Sequence, residues 1–264
     1  MLDIIFSSSL AVYAASVVLI LVGLAIKTQR LQQASVSVFL AAFALHTGYF
    51  VGRSMVANRL PLSNQFEFSM SFAWGISLLY IILKFKFKAD WIAPFAMISA
   101  TLMQCYAASL PREIRELMPA LQSQWFALHI GAAVISYAAF VLAGCAGVKY
   151  LMALRKGEPE DSAHMRHIDF FSYRLIALGI LMLTVVILSG AVWAEAAWST
   201  FWSWDPKELW SLITWVVYAI YLQQRLRKKW QGKRMAVFAI VAVGIVLFTF
   251  IGVNVLLSGL HSYR

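Results

Sequence analysis

Charged side chains are scarce in this chain. Asp, Glu, Lys and Arg make up 13% of its 264 residues, about half the ~25% of an ordinary soluble domain. Set against 61% hydrophobic residues, that scarcity excludes a water-soluble globule. Acidic residues are fewest, twelve against 22 Lys and Arg. The resulting charge of +10 is no nucleic-acid footprint, because the basic residues sit between apolar runs, where membrane topology accounts for them. Cysteine is nearly missing. Cys105 and Cys145 lie inside apolar runs, which excludes a disulfide framework and predicts buried packing thiols. No CxxCH is present, so the chain carries no covalently attached haem of its own. Residues 1–33 lack a basic start followed by a small-residue cleavage site, so their apolar run is expected to be a retained span.

What fills the chain instead is eight apolar runs, roughly 7–26, 34–52, 68–83, 91–109, 125–153, 172–194, 208–224 and 235–258. Each approaches the ~20 residues that cross a hydrocarbon core, and each is expected to be a helix, since lipid offers unpaired backbone groups no partner. The expectation is an all-α integral membrane protein of about eight transmembrane helices, one polytopic domain over 1–264. Most Lys and Arg fall near the ends of alternate spans, at 27–30, 84–88, 149–174 and 225–234, which marks that side as cytoplasmic. Both termini, and the loop between the sixth and seventh spans, then face outward. The segment LPREIRELMPALQSQ (110–124) places Leu110, Ile114, Leu117 and Leu121 at helical spacing and predicts a short amphipathic surface helix. The loop GEPEDSAHMRH (157–167) is polar and expected to be solvated.

Tryptophan is concentrated. Six of ten fall between Trp193 and Trp215, in WAEAAWSTFWSWDPKELWSLITW, with Glu195, Asp205 and Glu208 among them. An interfacial belt explains scattered indoles but requires fewer than this. The cluster predicts an aromatic shelf with polar edges, suited to a large planar ligand. Within it, Asp205-Pro206-Lys207-Glu208 reads as a helix start: a capping aspartate, proline at the first position and a glutamate completing a capping box.

Two of the five histidines reach the level of that shelf. His129 lies near the outer end of the fifth span and His261 just past the eighth. Imidazoles beside an aromatic shelf suit haem iron bound from both faces, with indoles stacked on or lining the porphyrin. Read singly, each is more often an interface residue than a ligand; two at matched depth beside this loop bring the two readings level. His164 and His167 fall in the cytoplasmic loop and read as surface groups. His46 is within the second span, where an ionisable group is costly and faces protein or a cavity. Arg53 follows two turns later on the same face. The pair reads either as an inner haem site or as a polar strut.

The tryptophan segment resembles the WWD signature of the CcsA/ResC cytochrome c assembly proteins, with WSWDPKE as its distinguishing core, and PLSNQFEFSMSFAWG (61–75) is similar to that family's P-x-S-N-x-[YF]-E stretch. The resemblance covers essentially the whole chain. It implies a haem-handling subunit of System II cytochrome c biogenesis in the cytoplasmic membrane, working with a CcsB/ResB-like membrane subunit as a holocytochrome c synthase (cytochrome c haem lyase). It implies haem b bound in transit, with His129 and His261 as axial ligands and Trp193, Trp198, Trp202, Trp204 and Asp205 in contact with it. Further partners so implied are apocytochrome c, whose CxxCH thiols receive the haem, a thioredoxin-like thiol reductant and membrane lipid. Two positions depart from the family pattern. Gln223 in YLQQR stands where a histidine is frequent, and Ser199 where glycine is common. A HemX-like regulator of haem biosynthesis would share the broader fold without the WWD loop, and a small-molecule transporter would need broken helices or paired midplane charges.

Overall fold

The computed structural model describes residues 1–227 and 230–257, and no strand occurs among them. Each expected span is a helix: α1 (Leu2–Ala25), α2 (Gln29–Ala57), α3 (Gln65–Phe87), α4 (Ala93–Ala108), α5 (Gln124–Arg155), α6 (Ala163–Trp198), α7 (Pro206–Leu226) and α8 (Lys233–Leu247). A π-helical turn, Phe248–Gly252, carries α8 into a last short helix, α9 (Val253–Leu256). Seven of these stretches are long and apolar enough to cross a membrane; α7, with 21 residues, is the more polar eighth. The protein is an all-α integral membrane protein. It forms two compact units, Met1–Leu117 and a second beginning at Met118.

In the first unit α1 packs on α2 and α4, and α3 on α4 and α2. The buried residues of α1 are Phe6, Ser9, Tyr13, Ser16, Ile20 and Gly23, and those of α2 are Ser35, Phe39, Ala42, His46, Tyr49 and Arg53. Both sets step by alternating threes and fours, the spacing of a coiled-coil seam. Ser9 and Ser16 donate their hydroxyls to carbonyls of their own helix at 2.7 Å, so small polar residues line the seam without an unmet hydrogen bond.

The end of this unit near Arg53 is organised by one carboxylate. Glu67, fully buried, accepts from Arg53 Nε at 3.0 Å and pairs with Nη2 at 2.9 Å. It also accepts from Arg59 Nη1 at 2.8 Å and from the Ser63 amide and hydroxyl at 2.9 Å each. Arg53 makes three further hydrogen bonds, from Nη1 to Tyr49 Oη and the Arg112 carbonyl and from Nη2 to the Glu113 carbonyl. This geometry overturns the amphipathic helix expected over 110–124. The chain runs without helical structure from Pro111 to Met118 and forms only a 3-10 turn at Pro119–Leu121. The carbonyls of Arg112, Glu113 and Arg115 point to the guanidinium groups of Arg53 and Arg59, and Pro119 holds Met118 in an extended conformation (ψ 142).

In the second unit α5 packs on α6 and α8, and α7 on α6 and α8. The buried face of α5 is rich in Ala and Gly, which lets backbones close on one another. A Cβ at Gly147 would lie 2.7 Å from the Ala236 carbonyl oxygen of α8. Between α5 and α7, Phe140 and Tyr218 stack at 3.6 Å. Helix α6 begins nine residues before the expected 172, because Ser162 caps it, accepting from the Met165 amide at 3.1 Å, and Met165 and Ile168 are fully buried. The solvated loop is therefore shorter than read from its polarity. Cys145 is half-buried, but Cys105 is exposed on α4, a correction to its expected burial: a thiol is apolar enough to face lipid.

Removing one partner of a buried ion pair strands the other, at a cost of about 3–5 kcal/mol. Glu67→Ala is therefore expected to lower the thermal stability of the detergent-solubilised protein strongly. Glu67→Gln, which keeps acceptors for part of the network, should lower it less. Equal melting temperatures for Glu67→Ala and the parent would contradict this.

Candidate functional site

The tryptophan segment spans the end of α6, an irregular turn and the start of α7. Helix α6 stops at Trp198 because Ser199 turns left-handed (φ 56, ψ 34), a conformation glycine adopts at lower cost. Helix α7 starts where expected. Asp205 accepts from the Lys207 amide at 3.0 Å, Pro206 occupies the first helical position, and the capping box with Glu208 is formed.

Glu208 does more than complete a cap. Its Oε2 accepts from the amide of Ser203 at 2.8 Å and from that of Asp205 at 3.2 Å, and the Ser203 hydroxyl donates to both carboxylate oxygens. The residue straddled by those two amides is Trp204, which is left-handed (φ 59). A bulky residue there is strained, and the Glu208 carboxylate is what holds it. The result is an indole that is 67% exposed, in a turn whose Phe201 is 59% exposed. Trp202 meets Trp204 edge-on at 5.8 Å, and its enclosed Nε1–H has no acceptor.

Trp193 sits differently. It is only 1% exposed, packed on Trp198 at 4.8 Å and Phe126 at 5.4 Å. Its ring also lies 6.0 Å from the imidazole of His129, tilted by 32°. His129 is thus beside the first tryptophan of the cluster. Its Nδ1 lies 2.8 Å from the Val186 carbonyl oxygen of α6. His261 lies outside the described residues, so the structure reports one of the two expected axial ligands.

His46 and Arg53 belong to the first unit. His46 is fully buried, its Nδ1 3.3 Å from Tyr13 Oη, which also meets Ser77 at 3.1 Å. Its Nε2 is enclosed without a hydrogen bond. Arg53 is committed to Glu67 and its neighbours. His164 and His167 are exposed near the start of α6, and Gln223 is exposed on α7. Ser203, Glu208 and two α6 residues against His129, Val186 and Gly190, were not among the expected site residues. Glu208 was visible as a cap. Val186 acts through its backbone, which leaves no mark on residue choice.

The sequence matches the family model described as Cytochrome C assembly protein over residues 62–261. It is 41% identical to the cytochrome c biogenesis protein CcsA of Chlamydomonas reinhardtii over 221 residues, covering 78% of this chain and 62% of that protein. It is 34% identical to the CcsA proteins of Marchantia polymorpha, covering 86% of each chain, and of Prochlorococcus marinus strain MIT 9312, covering 80% of this chain and 78% of that one.

Two outcomes test the turn. Glu208→Ala removes the acceptor on both sides of Trp204 and is expected to lower stability by about 1–2 kcal/mol and to expose Thr200–Trp204 to protease; an unchanged cleavage pattern would contradict the clamp. Ser199→Gly relieves the left-handed strain and is expected to raise stability by about 1 kcal/mol, seen as a higher melting temperature.

Proposed function

The chain belongs to the cytochrome c assembly protein family, in its CcsA branch, and from that membership we propose that it is the haem-handling subunit of a cytochrome c synthase. A role in cytochrome c maturation and a multi-pass membrane location come with the family. The finer reading is that haem b is held in transit at the outer face, between the tryptophan turn and two histidines, and presented to the CxxCH segment of apocytochrome c.

The observation that carries this reading is the geometry of His129. A carbonyl oxygen accepts and never donates, so a contact of 2.8 Å from Nδ1 to the Val186 carbonyl puts a proton on Nδ1, and in the neutral ring the lone pair is then on Nε2. Haem-ligating histidines are held in this way, the ring N–H remote from the metal bonded to a carbonyl or carboxylate. The turn fits the rest of the group. Phe201 and Trp204 offer exposed aromatic surface for the porphyrin. His129 with His261 would hold the iron, and Trp198, Trp202 and Trp204, steadied by Asp205 and Glu208, would border the ring. Trp193, being buried, supports His129 from behind.

Haem is here a substrate, and it brings the two vinyl groups. Each thioether forms when a thiol of the apocytochrome adds across a vinyl double bond: the sulfur bonds one carbon, a proton ends on the other, and no electrons are exchanged. The chain needs no cysteine of its own for this addition. Its contribution is to hold both reactants in register, which by itself removes much of the barrier. The thiols must arrive reduced, which assigns a thioredoxin-like reductant upstream, and a CcsB/ResB-like subunit completes the synthase. For His46 and Arg53 the strut reading is favoured over an inner haem site: all three nitrogens of the Arg53 guanidinium are already engaged by Glu67, Tyr49 and the Arg112 and Glu113 carbonyls, and His46 is closed in by Tyr13.

The test is the visible spectrum of the protein purified with its partner subunit. A low-spin, bis-histidine haem is expected in the parent, with ligation altered in His129→Ala and in His261→Ala and retained in His46→Phe. A parent without haem, or a spectrum that survives both outer substitutions, would overturn the proposal. Loss of haem in His46→Phe with the outer ligands intact would restore the inner-site reading.

A further inference from the structure

We infer that helix α6 presents a purpose-built cradle to His129, in which the Val186 carbonyl sets the tautomer of the imidazole, Gly190 gives it room and Trp193 braces its face. This rests on the haem-ligand reading of His129 and identifies the positioning residues behind it.

Val186, Gly190 and Trp193 are spaced by four and three residues, which puts them on one stripe of α6. Each meets a different part of the same ring. The Val186 carbonyl already sits within helical reach of the residue four positions on, and Ser189 Oγ approaches it at 3.4 Å; its second lone pair receives the imidazole Nδ1–H at 2.8 Å. To reach that carbonyl the ring must lie directly over position 190. A Cβ built on Gly190 would fall 2.8 Å from both Cε1 and Nδ1 of His129, closer than real Cβ contacts come. Gly190 is therefore a steric condition for the hydrogen bond. Trp193, one turn further, lies 6.0 Å from the imidazole and is itself locked by Phe126 and Trp198.

The chemical consequence follows from the direction of the bond. An imidazole that donates from Nδ1 to a carbonyl is a stronger donor from Nε2. It stabilises ferric over ferrous iron and lowers the reduction potential, and its ring plane is fixed relative to α6. Alanine at 190 pushes the ring off the carbonyl without touching Nε2.

Two measurements test the cradle. The first needs no haem. In the haem-free parent labelled with 15N-histidine, the signals lost in His129→Gln are expected to report the Nδ1–H tautomer; an Nε2–H tautomer would overturn the inference. The second compares Gly190→Ala with Gly131→Ala in the haem-loaded protein. A Cβ at Gly131, on α5 close to His129, meets nothing within 4 Å. Gly190→Ala is expected to retain haem about 10-fold less tightly, with a larger high-spin fraction and a more positive potential, while Gly131→Ala matches the parent. Equal spectra and potentials for Gly190→Ala and the parent would overturn the cradle and leave the haem reading standing. A parent with no His129-dependent haem, but with the expected tautomer, would remove the haem reading and leave the cradle geometry intact. If Gly190→Ala does not fold, the tautomer in the parent decides.

Discussion

Two irregular stretches of this protein hang from a glutamate in the third position of the helix that follows. Glu67 does this for α3 and Glu208 for α7. Each reaches back over its own helix start and takes the amide and the hydroxyl of a serine, Ser63 in one case and Ser203 in the other. The position is favourable for a negative charge, because the first turn of a helix presents unpaired N–H groups and the positive end of its dipole. What differs is the second load each carboxylate carries. Glu67 neutralises two arginines, and those arginines in turn collect three carbonyls of the strap that follows α4. Glu208 collects the two amides that flank Trp204.

The consequences diverge accordingly. Around Glu67 the arrangement is closed, with both carboxylate oxygens taken by arginine and serine donors. A buried charge network of this kind holds helix ends in place but gains little net stability over apolar packing; its role is to prescribe where the strap goes. Around Glu208 the hydrogen bonds end in exposure. They force a left-handed tryptophan outward, leave an indole N–H of Trp202 unmatched and set two large aromatic side chains at the surface. Strain and an orphaned donor are tolerated where something else is to bind.

Much of this was legible in the sequence. The eight helices could be placed from apolar runs alone because lipid leaves the backbone no alternative, and the start of α7 followed from the order Asp-Pro-Lys-Glu, in which each residue type has one local use. The failures share a cause. Leu110, Ile114, Leu117 and Leu121 have helical spacing, but the carbonyls of Arg112, Glu113 and Arg115 among them are claimed by arginines more than fifty residues away, a contact that spacing cannot report. Helix α6 runs past its apolar stretch because Ser162 caps it and Met165 and Ile168 are buried, whereas hydropathy sees only the polar residues between them. Hydrophobicity alone predicts burial for Cys105, but in a membrane it does not distinguish the core from the lipid face.

The same division runs through the candidate site. Its side-chain components, the tryptophans, Asp205 and His129, announce themselves by residue type. The components that orient His129 are a carbonyl and an absent Cβ. A carbonyl belongs to every residue, so valine at 186 says nothing about its use, and glycine at 190 reads within an apolar helix as an ordinary packing residue. Only when α5 is laid against α6 does the glycine become necessary, because the imidazole occupies the volume its side chain would fill. A histidine in a sequence names a potential ligand. Which nitrogen it offers, and along which direction, is decided by the helix it lies against.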